Sequence, residues 1–104
     1  MSVKIQIKIG ELNDFPEAVG KVVHVQNHEI AVFRLAGNRF KAVENKCPHK
    51  AGPLAEGIVS GEFVFCPLHD WKISLKDGQV QAPDHGCVKA YEVDIEGTEV
   101  YIVM

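Results

Sequence analysis

Apolar and polar residues alternate over short stretches along this chain, starting with MSVKIQIKIG, where Val3, Ile5, Ile7 and Ile9 are separated by Lys4, Gln6 and Lys8. A two-residue period puts successive side chains on opposite faces of an extended backbone, which predicts a strand over 3–9. Comparable runs predict strands at 21–26, 29–35, 39–45, 57–60, 62–66, 71–75, 79–81, 88–95 and 99–103. No stretch keeps the apolar spacing of a long amphipathic helix, so the fold class is all-β. Asn27-His28, Gly37-Asn38, Asp77-Gly78 and Gly97-Thr98 separate consecutive strand-like runs and supply residues that tolerate positive φ, which implies antiparallel hairpins. The stretch ELNDFPEAVG is irregular, and Pro16 and Gly20 leave room for at most one helical turn.

The chain has 104 residues, enough for one domain with one core. A charged fraction of 24% and a net charge of −3 place it among ordinary globular chains and speak against a nucleic-acid partner. No apolar run is long enough for a signal segment or a membrane span, so neither a membrane partner nor export is expected. The cysteine count is three, an odd number, which favours metal binding over a disulfide framework and suggests a reducing, cytoplasmic setting.

The cysteines and histidines carry the chemistry. Cys47 and His49 are separated by one residue, Cys66 and His69 by two, and sixteen residues lie between His49 and Cys66. Ile58, Val59, Phe63, Val64 and Phe65 flank Ser60-Gly61-Glu62, so the intervening segment can form a hairpin that brings the two pairs to one end. Two thiolates and two imidazoles suit either tetrahedral zinc or a [2Fe–2S] cluster with two histidines on one iron and two cysteines on the other. Zinc fingers usually draw each pair of ligands from like residues; here each pair mixes one Cys with one His, as expected when each loop reaches across two irons. Cys87 has no histidine at comparable spacing and reads as a small buried residue at the start of a strand. His24 and His28 read as surface residues on the first hairpin. The roles of His85, in the Pro83–Gly86 turn, and of Lys50 and Lys72, beside the expected ligands, stay open.

CPHK and CPLH match the C-x-H…C-x₂-H pattern of the Rieske iron–sulfur proteins, and the chain resembles that family over almost its whole length. Gly52 and Pro53 follow the first pair, Trp71 follows the second, and Gly78 and Pro83 fall where the family has a third, proline-containing loop. The resemblance implies a single Rieske domain over 1–104, an antiparallel β sandwich or barrel with a cluster-binding hairpin subdomain near 45–72. It also implies a [2Fe–2S] cluster held by Cys47, His49, Cys66 and His69. The respiratory members carry an extra cysteine in each loop and hydroxyl donors near the sulfurs. Gly52, Leu68, Trp71 and Ile73 stand at the corresponding positions, which implies a potential toward the low end of the family's range of about −150 to +300 mV.

The run DWKISLKDGQVQAPDHGCVKAYEV is similar to the small-subunit family of NAD(P)H-dependent nitrite reductases, especially at Asp70–Ile73 and Ala82–Lys89. That resemblance implies a partner, the large subunit carrying FAD, an iron–sulfur cluster and siroheme, which reduces nitrite to ammonium in nitrate assimilation. The small chain then serves in electron transfer or as a structural subunit and is not catalytic alone. Two rivals remain. One is a free Rieske ferredoxin that feeds an aromatic-ring dioxygenase; the other is a structural or regulatory subunit whose site is empty or holds zinc. Stable association with a siroheme-containing chain separates the first from the subunit, and iron and acid-labile sulfide content separates the second.

Overall fold

The computed structural model describes residues 5–46, 53–67, 71–82 and 86–104. Nine strands run in chain order: β1 Gln6–Glu11, β2 Gly20–Val25, β3 His28–Leu35, β4 Arg39–Glu44, β5 Ile58–Ser60, β6 Phe63–Phe65, β7 Lys72–Ser74, β8 Ala90–Glu96 and β9 Glu99–Val103. Single 3₁₀ turns lie at Leu12–Asp14, Ala36–Asn38 and Leu54–Glu56, and the described residues contain no α-helix. The all-β expectation holds, and the one helical turn allowed in ELNDFPEAVG is Leu12–Asp14.

Six strands form one antiparallel, barrel-like sheet in the order β1-β9-β8-β4-β3-β2, and β5-β6-β7 form a second, smaller antiparallel sheet. The β2–β3 connection differs from the expected Asn27-His28. Its two turn residues are Gln26 and Asn27, both at positive φ, while His28 pairs with Val25 inside the ladder. A two-residue turn with both φ values positive follows the right-handed twist of the flanking strands, so the register shifts by one to give Asn27 the second position. The strand expected at 79–81 is a pair of isolated bridges, Ile73 with Val80 and Gln79 with Cys87. Gly78 at φ +79 turns the chain there, and its carbonyl accepts from the Val88 N–H at 2.9 Å.

Strand β3 explains how the two sheets share one molecule. His28-Glu29 is exposed, whereas Ile30, Ala31, Val32 and Phe33 are fully buried. The alternation of a strand sends Ile30 and Val32 into the barrel interior with Phe15, Phe40, Ala42, Val100 and Ile102. Ala31, Phe33 and Leu35 point the other way and pack with Val64, Ile73, Leu54 and Val88 beneath the small sheet. A strand buried on both faces reads as a continuous apolar run, as IAVF does. At the surface, Arg39 at the start of β4 pairs with Glu62 in the β5–β6 turn at 3.0 Å and ties the small sheet to the barrel.

Candidate metal centre

The small sheet presents the second Cys/His pair. β6 ends at Phe65, Cys66 follows, and the chain returns through Trp71 into β7, with Phe65 opposite Lys72 in the ladder. The Cys66 N–H donates to the Trp71 carbonyl at 2.9 Å, closing the connection in which His69 lies in sequence. Cys66 is 1% exposed and packs in the core that Leu54, Val64 and Ile73 also line, and Trp71 lies partly buried against that core. Of the four expected ligands, Cys66 alone falls among the described residues; Cys47, His49 and His69 lie outside them, as do Lys50, Gly52, Leu68, Pro83 and His85.

The two ends of the segment containing Cys47 and His49 are described, and they meet. Asn45 closes β4, and the 3₁₀ turn Leu54–Glu56 picks the chain up on the far side. The Asn45 Oδ1 accepts from the Ala55 N–H at 2.8 Å in a buried bond, and its Nδ2 donates to the Glu29 carboxylate at 2.6 Å. Leu54 and Ala55 share the core with Cys66. The first Cys/His segment thus leaves from and returns to the same packed block that seats Cys66. Two glycines make this close approach possible. A Cβ at Gly20 would overlap the Ala55 carbonyl, and a Cβ at Gly57 would overlap the Phe65 carbonyl, one residue before Cys66.

Several expectations near the site change. Cys87 is exposed, not buried. Its neighbour Val88 is 6% exposed and takes the inward face, so the alternation turns Cys87 toward solvent. Lys72 is exposed with its Nζ 4.3 Å from the centroid of the Phe63 ring, a cation–π contact on the outer face of the small sheet. His24 and His28 are surface residues as expected; His24 approaches Glu29 at 3.6 Å and His28 Nδ1 lies 3.4 Å from the Tyr91 hydroxyl. Tyr91 borders a cavity of about 290 Å³ beside Asn45. Burial and the nearby Glu44 carboxylate both push its phenol above the ordinary tyrosine value. The residue missed in the sequence is Asn45. Its signal in the sequence was an amide at the end of a predicted strand, two residues before a cysteine.

The model of the Rieske-like [2Fe–2S] domain matches residues 6–103. Among curated proteins, the ferredoxin component of the naphthalene 1,2-dioxygenase system of Pseudomonas aeruginosa is 33% identical over 92 residues, 88% of each chain. The ferredoxin component of the alkene monooxygenase system of Xanthobacter autotrophicus is 29% identical and covers 92% of this chain and 79% of its own. Among solved structures, a protein assigned as the small subunit of an NADPH nitrite reductase superposes with a TM-score of 0.86 at 27% identity, covering 96% of this chain and 99% of that one. The ferredoxin of carbazole 1,9a-dioxygenase from Nocardioides aromaticivorans gives the same TM-score and identity over 93% of this chain and 95% of its own. The chain belongs to the Rieske-like [2Fe–2S] domain family, and that membership implies a [2Fe–2S] cluster. The described residues are compatible with it: Cys66 is sequestered on a hairpin closed by a backbone bond, and Asn45 and Ala55, on either side of the segment that carries Cys47 and His49 in sequence, are tied by a buried hydrogen bond.

Proposed function

We propose that the cluster is held by Cys47 and Cys66 through their thiolates and by His49 and His69 through their imidazoles, within a single domain over 1–104 whose binding subdomain spans about 45–72. When bound, a [2Fe–2S] cluster takes up and releases one electron at a time. The chain's own contribution is to seat the donors. The Cys66–Trp71 bond and the Asn45–Ala55 bond hold the ends of the two ligand segments on one core, and Trp71 covers part of that core from water.

The finer role we propose is the electron-transfer small subunit of a cytoplasmic NAD(P)H nitrite reductase, partnered by a large chain that carries flavin and siroheme. The observation behind this choice is the likeness to a solved protein assigned as such a small subunit, across nearly the full length of both proteins. The run Ala82–Lys89 agrees with it. A second reading, a free ferredoxin serving a ring-hydroxylating dioxygenase, is favoured by the identity to dioxygenase ferredoxin components. Either way the isolated chain is not expected to reduce nitrite.

The test is made on anaerobically purified full-length protein. About two irons and two sulfides per chain are expected, with a reduced-state EPR signal of average g near ~1.9, lost in Cys66→Ser and His49→Gln. Retention of the cluster in those variants would refute the ligand set. Stable co-elution with a siroheme-containing chain supports the subunit role. Rapid turnover between a reductase and an oxygenase, with no stable complex, supports the ferredoxin.

A further inference from the structure

We propose that Asn45 is a positioning residue for the segment that supplies Cys47 and His49, setting the separation and register of its two ends through both halves of its carboxamide. This rests on Cys47 and His49 being ligands. Asn45 is 6% exposed, one of two buried polar residues among those described. A buried amide costs free energy unless its donor and acceptor are both satisfied, and here both are. The orientation of the carboxamide is fixed by its partners: the Ala55 N–H can only donate, so it faces Oδ1, and the Glu29 carboxylate can only accept, so it faces Nδ2.

These contacts connect three elements at one point. Glu29 lies on β3, and its carbonyl also accepts from the Asn45 backbone N–H at 3.0 Å. Ala55 lies in the 3₁₀ turn that receives the chain after the first Cys/His pair, and Gly20 of β2 lies against its carbonyl. The bond from Asn45 to Ala55 spans ten positions in sequence and brackets both Cys47 and His49. It therefore acts on the ligands through the backbone on either side of them. The site needs an acceptor on one side and a donor on the other, which only a carboxamide supplies at this length. An aspartate keeps the acceptor for Ala55 but sets two carboxylates against each other at hydrogen-bond distance.

That chemistry supplies its own rescue. Asn45→Asp should lose its cluster about tenfold faster than the parent under a fixed chelator concentration and shift the g values of the reduced cluster. Glu29→Gln alone should behave as the parent, because a glutamine carbonyl still accepts from Asn45. The double variant Glu29→Gln/Asn45→Asp restores a donor opposite an acceptor, and should return cluster lifetime and g values to near those of the parent. A merely structural role would lower thermal stability, which the pair would also restore, but would leave the g values of the reduced cluster in Asn45→Asp where the parent has them. The proposal is overturned if Asn45→Asp holds its cluster as the parent does, or if the double variant is no better than Asn45→Asp. If Asn45→Asp is not recovered folded, Asn45→Ala decides: faster cluster loss with shifted g values supports the role, and a parental lifetime and spectrum refute it. Failure of the ligand reading is recognised separately, since His49→Gln would then keep the cluster.

Discussion

Single residues divide here according to which face of a strand they occupy. Cys66 faces the core and Cys87 faces water, although both are cysteines at the edge of short pairings in the same half of the chain. In the cluster-loaded protein, Cys87 should therefore give one fast thiol reaction with an aromatic disulfide reagent. Cys87→Ser should abolish that fast phase while leaving the visible spectrum unchanged. A fast phase that survives the substitution would place the reactive thiol elsewhere. Tyr91 offers a second check. Burial raises its pKa first and the Glu44 charge adds to it. Removing the charge in Glu44→Gln favours the phenolate, so the pKa should fall while staying above the ordinary tyrosine value. A phenolate-absorbance titration in a Tyr101→Phe background reads this directly. The raised value means that any stability this phenol contributes is complete below the unfolded tyrosine pKa, near ~10, and is lost as pH rises through the folded value. The proposed ligand set was legible in the sequence because holding a metal centre constrains residue type and separation directly. The exposure of Cys87 was not, because it depends on which of two adjacent residues, Cys87 or Val88, the neighbouring layer accepts.

Among elements, the 3₁₀ turn Leu54–Glu56 and strand β3 carry the connection between scaffold and site. The turn contributes Leu54 and Ala55 to the core and touches both β2 and β3. Its seat against β2 depends on the absence of a side chain at Gly20. Backbone faces backbone there, and neither can swing aside as a flexible side chain would. Gly20→Ala should cost about 1–3 kcal/mol through overpacking, lowering Tm by about 5–20 °C in a domain of this size. Loss of cluster should accompany the loss of stability, because the displaced turn is the far end of the first ligand segment. An unchanged Tm in a thermal scan would show that β2 and the turn separate at little cost. Strand β3 was predicted from its pattern, yet its burial on two faces was not. The run Ile30–Phe33 is compatible with a strand in any fully covered sheet, and only the second layer over Ala31 and Phe33 identifies what covers it.

At the scale of the whole molecule, two apolar clusters divide the work. The barrel cluster around Phe15, Val32, Phe40, Val100 and Ile102 is built entirely from strands and connections of the large sheet. The other cluster joins β3 and β4 to the small sheet and to Cys66. Removing the iron with a chelator should therefore spare the barrel. Hydrogen exchange should show preserved protection in β1–β4 and β8–β9 and reduced protection across 53–82, with most of the far-ultraviolet β signal retained. Uniform loss of protection would mean that the two clusters unfold as one unit.

What the sequence determined by itself is the part of the protein governed by local periodicity and residue chemistry. Alternation specified most of the strands, and the Cys/His pattern together with the family resemblance pointed to a [2Fe–2S] centre. The geometry of the turns followed from small residues at the right separations in most cases; Gln26-Asn27 departed by one position because strand twist selects the turn register. Tertiary structure alone decided which partners distant segments acquire: Asn45 with Ala55 and Glu29, Gly20 with Ala55, and β3 between two layers. Those choices depend on side chains far apart in sequence meeting in a shared volume, where a hydrogen bond or a missing Cβ acquires meaning only from its neighbour. No pattern along a single strand contains that information.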